Sequence, residues 1–249
     1  MKFTVLCSGS KGNSTLVETE QIKILLDCGH SKRYLTQSLH NCGVHYDQID
    51  AVIITHNHID HVSQLKLFKN QPVYAPCLLR DRDDTIILGA YKWFKLGDLS
   101  ILSVPLSHDA DETFGYVIQH DDESLVYITD TGYLKETDFE VLSNADHYIF
   151  ESNHDVELLM QTQRPYPVKS RILSDSGHLS NEDSASYLAR LVGLNTKTIF
   201  LAHLSSEANT ERHALQALVE TFENQKVIIN PDLILDCAKQ NEPVTGGTI

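Results

Sequence analysis

Hydrophobic positions in the first part of the chain fall in short strand-like runs, Phe3–Leu6, Thr15–Glu18 and Ile22–Asp27, separated by a Gly/Ser/Asn turn segment. This spacing predicts a β-meander. A helix over about Lys32–Leu39 leads to Ala51–Ile54, whose β-branched richness marks a buried strand that stops abruptly at Thr55-His56. Further strands are expected at Leu99–Val104, Phe114–Ile118, Leu125–Thr129, Tyr148–Glu151, Thr198–Ala202 and Val227–Ile229, with a helix over Val62–Phe68. Ser180-Asn181-Glu182-Asp183 opens another helix in the manner of a capping box, and Leu188, Leu191 and Val192 share one of its faces. A last helix, about Thr210–Phe222, carries Leu215, Leu218, Val219 and Phe222 on one stripe. The alternation of strands and helices places the chain in the α/β (α+β) class as one domain over residues 1–240, while the Gly/Pro-containing tail 241–249 is expected to be loosely ordered.

Composition narrows the picture. With 41% hydrophobic and 22% charged residues among 249, the balance is that of a soluble globular protein, and no apolar run reaches the ~18 residues of a spanning helix. The first residues enter a strand at once, without an apolar signal segment, so no membrane association and a cytoplasmic location are expected. Five cysteines without a C-x-x-C pair predict reduced thiols rather than a disulfide framework. A net charge of −14 argues against a broad electrostatic footprint on duplex nucleic acid, so a nucleic-acid substrate would have to be drawn by metal ions and a local basic patch.

The informative segment is Thr55-His56-Asn57-His58-Ile59-Asp60-His61, directly after the buried strand. Three imidazoles and a carboxylate on one turn would repel one another if the imidazoles were protonated, but neutral imidazole binds zinc, manganese or iron well. His108, Asp130 and His203 recur at the ends of later predicted strands, and such ends can share one edge of a layered sheet.

His56-x-His58-x-Asp60-His61 followed by His108, Asp130 and His203 resembles the metal-binding motifs of the metallo-β-lactamase superfamily, whose fold is an αββα sandwich of two mixed sheets flanked by helices. Within it, Ser8–Ser14, Ser107-His108-Asp109-Ala110, Glu151–Asp155, Gly177–Asn181 and Leu201–Ser205 are similar to motifs of the YycJ/WalJ group, nuclease-like relatives of RNase Z and RNase J. One departure is Ala208, where that group usually carries asparagine, and no insertion of β-CASP size fits between Asp130 and His203.

The resemblance implies that His56, His58 and His108 hold one divalent ion, that Asp60, His61 and His203 hold a second, that Asp130 bridges them, and that Asp27 supports the ligands from behind. Two Zn²⁺ or Mn²⁺ ions, with iron also compatible, would supply a hydroxide nucleophile for phosphodiester cleavage, with Asp60 orienting the water. Glu151 and His178 form the implied proton-donating pair, His178 alternatively contacting a phosphate and Glu151 alternatively fixing a neighbouring imidazole. Ser10, Lys11, Asn13 and Ser180 are implied substrate contacts, although the glycine-rich segment also reads as a plain β-turn and Ser180 as a helix cap. The function implied is a nuclease, specifically an exonuclease. Two alternatives stay open: a phosphodiesterase for cyclic nucleotides, which the acidic composition favours, and a metal-binding partner module without catalysis. Oligomeric state is not legible.

Overall fold

A computed structural model describes residues 1–248. The described strands form two seven-stranded mixed sheets. The first comprises β1 (Lys2–Cys7), β2 (Ser14–Glu18), β3 (Lys23–Leu26), β4 (Ala51–Ile53), β5 (Val73–Ala75) and β6 (Ile86–Ile87), with the late strand β14 (Val244–Gly247) at its edge against β1. The second runs from β7 (Trp93–Leu96) through β8 (Leu99–Pro105), β9 (Phe114–His120), β10 (Glu123–Ile128), β11 (His147–Glu151) and β12 (Thr198–Ala202) to β13 (Ile234–Cys237). Within each sheet the hairpin-joined strands are antiparallel and those reached through a helix or long crossover are parallel, apart from β14, which pairs antiparallel with β1.

Alternating side chains of the two sheets close an inner core that includes Phe3, Ile24, Leu26, Ile101, Tyr116, Tyr127 and Phe200. Helices cover the outer faces. Leu35 and Leu39 of α1 (Lys32–Asn41) pack with Leu16, Leu25 and Val52 behind the first sheet. Leu188 and Leu191 of α6 (Asn181–Leu191) and Leu218 and Phe222 of α7 (Glu211–Gln225) pack with Val126, Tyr148 and Leu201 behind the second. The helix–sheet–sheet–helix layering is therefore the sandwich that the resemblance implied. Shorter helices, α2 (Ile59–Val62), α3 (Phe139–Leu142), α4 (Val156–Gln161) and α5 (Tyr166–Ile172), fill crossovers.

Three expectations are corrected. The tail is not loose through residue 247: Val244–Gly247 pairs antiparallel with Lys2–Val5, because an edge strand gains its order from ladder bonds that local propensity does not reveal. Val227–Ile229 lies outside any strand, and the strand beside β12 is Ile234–Cys237, whose half-exposed pattern gives a weak hydrophobic signal. Helix Val62–Phe68 starts earlier and is broken, with α2 at Ile59–Val62 and a 3₁₀ turn at Leu65–Leu67, so Asp60 and His61 sit on a helical turn rather than before it.

Candidate metal centre

Strands β3, β4, β10, β11 and β12 all end on one edge of the sandwich, and at that edge the expected ligands meet. Asp27 follows β3, His56 lies just beyond β4, Asp130 lies two residues beyond β10, and His203 follows β12 directly. Asp27, Asp130 and His203 adopt left-handed backbone with φ of 58°, 58° and 56°. Non-glycine residues reach that region at a cost of about 1 kcal/mol or more each, which the rigid strands behind them sustain. The Asp130 and His203 side chains lie in the shared pocket, and that of Asp27 lies behind it against His61 Nδ1.

The imidazoles are held in one tautomer by the groups behind them. His61 Nδ1 donates to Asp27 Oδ2 at 2.8 Å, and Thr55 Oγ1 donates to the same carboxylate at 3.0 Å. His108 Nδ1 donates to the carbonyl of Gly177 at 3.0 Å, and His203 Nδ1 donates to Glu151 Oε1 at 3.0 Å. With Nδ1 protonated, each ring turns a lone pair on Nε2 toward the centre, the arrangement that second-sphere partners produce around metal-binding histidines. His56 is likewise aligned through Thr55 Oγ1, 3.0 Å from its Nδ1.

Metal-ligand atoms of His56, His58 and His108 lie within 4.8 Å of one another, as do those of Asp60, His61 and His203, and those of His56, His61 and Asp130. The first two sets coincide with the residue groups that the resemblance implied, and the third puts Asp130 beside His56 and His61. A further group of the same compactness joins Asp130, Glu151, His178 and His203. The Asp130 carboxylate spans the site, with Oδ2 3.2 Å from His61 Nε2 and Oδ1 3.8 Å from His108 Nε2.

The residues fit divalent cations. His56 Nε2, His203 Nε2 and Asp130 Oδ2 are buried with no hydrogen-bond partner, and three such orphans among the neighbouring ligand groups would be costly without ions. Charge leads to the same reading. Burial opposes ionisation of Asp60 and Asp130, but the surrounding imidazoles outweigh it and hold both carboxyls well below the usual range. Burial opposes a proton on His61 and His203 as well. The carboxylates beside them prevail, raising His61 and pushing His203 up to about 10. Such a negative pocket recruits positive charge, and a metal ion substitutes for those protons.

Glu151 is fully buried, and its Oε1 accepts from His178 Nδ1 at 2.7 Å while its Oε2 accepts from the Thr131 amide at 2.8 Å. Burial would raise its pKa, yet the imidazoles of His178 and His203 hold it at about 2. Glu151 thus lies against His178 and His203 as an anchored carboxylate, the arrangement that its alternative role of fixing a neighbouring imidazole requires. His178, still partly exposed, keeps Nε2 free of any such bond.

The expected substrate contacts divide. Ser10 and Lys11 are exposed at the rim, the Lys11 amide donating to Gln240 Oε1. Asn13 instead is buried and points inward, its Nδ2 lying 2.9 Å from His61 Nε2 and 3.3 Å from Asp60 Oδ2 while its Oδ1 accepts from the Gly9 amide. Ser180 is the N-cap of α6, bonded to the amide and carboxylate of Asp183, and offers nothing to a ligand. Ala208, the departure from the group's pattern, is fully buried, and the adjacent Asn209 carries the polar contacts there, bonding Ser152 and Asn181.

Sequence reading missed several supports. Thr55 bonds Asp27, His56 and His61 at once, a role signalled only by its place between strand and first ligand. Ser8 Oγ accepts from the His203 amide and Asn153 donates to the His203 carbonyl, contacts across 195 and 50 positions that local pattern cannot foretell. Asp109, 3.3 Å from His108 Nε2, pairs with Arg171 at the rim.

His154, three positions beyond Glu151, is buried with neither ring nitrogen bonded, and burial pushes it down to about 4. A histidine depressed in the folded state contributes stability above its unfolded pKa and loses it as pH falls toward the folded value. Between pH 7.5 and pH 5 this residue alone is expected to remove about 2 kcal/mol. Thermal melts of His154→Gln against the parent check this: the parent should lose more stability on acidification, and parallel pH profiles would contradict it.

A family model described as the β-lactamase superfamily domain matches residues 23–204. The chain is 37% identical over 235 residues to a Streptococcus pneumoniae serotype 2 protein named exodeoxyribonuclease WalJ, covering 88% of this chain and 87% of that one. It is 34% identical over 240 residues, 90% of each chain, to a Bacillus anthracis protein named exodeoxyribonuclease YycJ. Among solved structures, the metallo-β-lactamase fold protein YhfI of Bacillus subtilis superposes with a TM-score of 0.70 at 18% identity, covering 98% of both chains. Among the described residues no helix is long and apolar enough to cross a membrane. By family match and by near full-length identity, this chain belongs to the metallo-β-lactamase superfamily and, within it, to the group that contains WalJ and YycJ.

Proposed function

We propose that this chain is a divalent-metal-dependent hydrolase that removes nucleotides from DNA ends, an exodeoxyribonuclease. One observation carries the reading: two ligand groups, His56–His58–His108 and Asp60–His61–His203, converge on Asp130 in a chain 37% identical to a protein named for that activity. The all-nitrogen-and-oxygen donor set suits Zn²⁺ or Mn²⁺, with iron compatible. Such ions, when bound, make water acidic enough to serve as a nucleophile near neutral pH and offset charge on phosphoryl oxygens.

The chain's own groups do the rest. Asp60, kept ionised and steadied by Asn13 Nδ2, can accept a hydrogen bond from water and orient it. His178, its Nδ1 fixed by Glu151, presents Nε2 at the open side, where it can give a proton to the departing oxygen. Glu151 is then a positioning residue for His178 and His203. Lys11, exposed at the rim, is available to a DNA phosphate, and with a DNA substrate the protein would act in the cytoplasm, where free thiols persist.

The test is end-labelled single- and double-stranded DNA incubated with Mn²⁺ or Zn²⁺, alongside cyclic nucleotides and bis-p-nitrophenyl phosphate. Stepwise shortening of DNA, stopped by chelation and restored by metal, is expected. Turnover confined to cyclic nucleotides, or no turnover by metal-loaded protein, would overturn the reading. His178→Ala should lower kcat roughly 100-fold with little change in KM, the scale of general-acid catalysis. An unchanged kcat would remove His178 from proton transfer.

A further inference from the structure

Beside the His56–His58–His108 group opens a cavity of about 740 Å³, with His108 itself as part of its wall. Its floor is apolar: Pro76, Leu88, Pro105 and Phe114 come from the ends of β5, β6, β8 and β9. Its lip is acidic, carrying Asp111 and Glu112, and no lysine or arginine lines it. Asp111 is held in place by Asn57 Nδ2 at 2.7 Å, so the lip is tied to the loop that carries His56 and His58. A volume in this range accommodates a small organic ligand.

Charge decides which part of a substrate belongs there. A phosphate beside two carboxylates with no cation would be repelled and desolvated at once. A nucleoside carries no charge, has an apolar base face for the floor, and has N–H donors that fixed carboxylates can accept. We infer that this cavity receives the uncharged terminal nucleoside, base and sugar, that flanks the scissile phosphate, while the rest of the DNA backbone leaves on the other side of the centre. The inference rests on the exodeoxyribonuclease reading and deepens it: a chain end is the one place where a nucleoside lacks a further phosphate, so a cation-free lip favours ends.

The cavity can be tested with metal-loaded full-length protein and two DNA strands, identical except that one carries an abasic tetrahydrofuran residue at the terminus where degradation starts. First-cleavage kinetics should show kcat/KM lower by roughly 10- to 100-fold for the abasic end, expressed mainly in KM, the scale of one lost buried apolar contact with its hydrogen bonds. Ala90→Trp, which puts bulk into the wall from an exposed position, should raise KM for the base-bearing end and shrink the gap between the two strands. Because the gap is a ratio within one protein preparation, a partly misfolded variant does not mimic the effect. Equal kcat/KM for the two ends in the parent protein would overturn the inference while leaving the nuclease reading intact. Failure to cleave any DNA would remove that reading and this inference with it.

Discussion

Asp130→Asn is expected to abolish hydrolysis and to lower the metal content while the sandwich stays folded. The substitution keeps shape and removes charge. In the parent, Oδ2 lies 3.2 Å from His61 Nε2 without a hydrogen bond, and Oδ1 lies 3.4 Å from His203 Nδ1 and 3.8 Å from His108 Nε2. One carboxylate thus faces candidate ligands from both groups. An amide in its place turns an N–H₂ toward the position of a cation and withdraws a negative charge from a buried pocket. A rate loss of at least about 10³-fold is expected, the upper range for deleting one preorganised electrostatic group. Elemental analysis after dialysis and a DNA-shortening assay measure the two effects together. Parent-like activity with two equivalents of metal retained would contradict the bridging role of Asp130.

Gly29→Ala is expected to cause the largest loss of stability of any single methyl addition near the centre. A Cβ there would lie 1.7 Å from the carbonyl oxygen of Asp60 and 2.7 Å from the Asn13 amide nitrogen, both backbone atoms that no rotamer change can move away. Gly29 lies where three segments knit together: its amide donates to Asn13 O at 2.9 Å, the Asn13 amide donates to Asp60 O at 2.8 Å, and the Cys28 amide donates to His61 O at 2.8 Å. Separating them shifts Asp60 and His61 together. The cost should be about 3 kcal/mol or more, as for severe overpacking. For a chain of this size that corresponds to a fall in Tm of roughly 6–12 °C. Differential scanning calorimetry reads it directly, and a melting temperature within a degree of the parent would show that the backbone yields more readily than the geometry indicates.

Asp130 and Gly29 differ in how far the sequence announces them. Local pattern marks Asp130 as a candidate, a carboxylate just past a predicted hydrophobic strand, and the family resemblance implies its role as a ligand. Nothing local marks Gly29, whose importance depends on a close backbone approach to Asp60, far along the chain. The same division runs through the other expected site residues. His56, His58, Asp60, His61, His108 and His203 are legible because each sits at a spacing set by a strand end or a single helical turn. For Glu151, read as paired with His178 in proton donation or as fixing an imidazole, and for Ser180, read as a substrate contact or a helix cap, sequence gives residue type without surroundings. In the fold, the Glu151 carboxylate is enclosed by two imidazoles and a backbone amide, and Ser180 is bonded to Asp183 as a helix cap.

Local pattern alone determined most of the strand-and-helix rhythm and the presence of a His/Asp cluster suited to a cation. Periodicity of two or 3.6 residues is enforced by burying one face of each element, and donors for a cation must be histidine or acid at short range. What only the tertiary structure decided is aim and environment: the left-handed turns at Asp27, Asp130 and His203, the pairing of Val244–Gly247 with β1, and the apolar cavity behind an acidic lip. Each depends on groups distant in the chain, and a long-range contact has no energy to leave its mark on local propensity until folding brings its partners together.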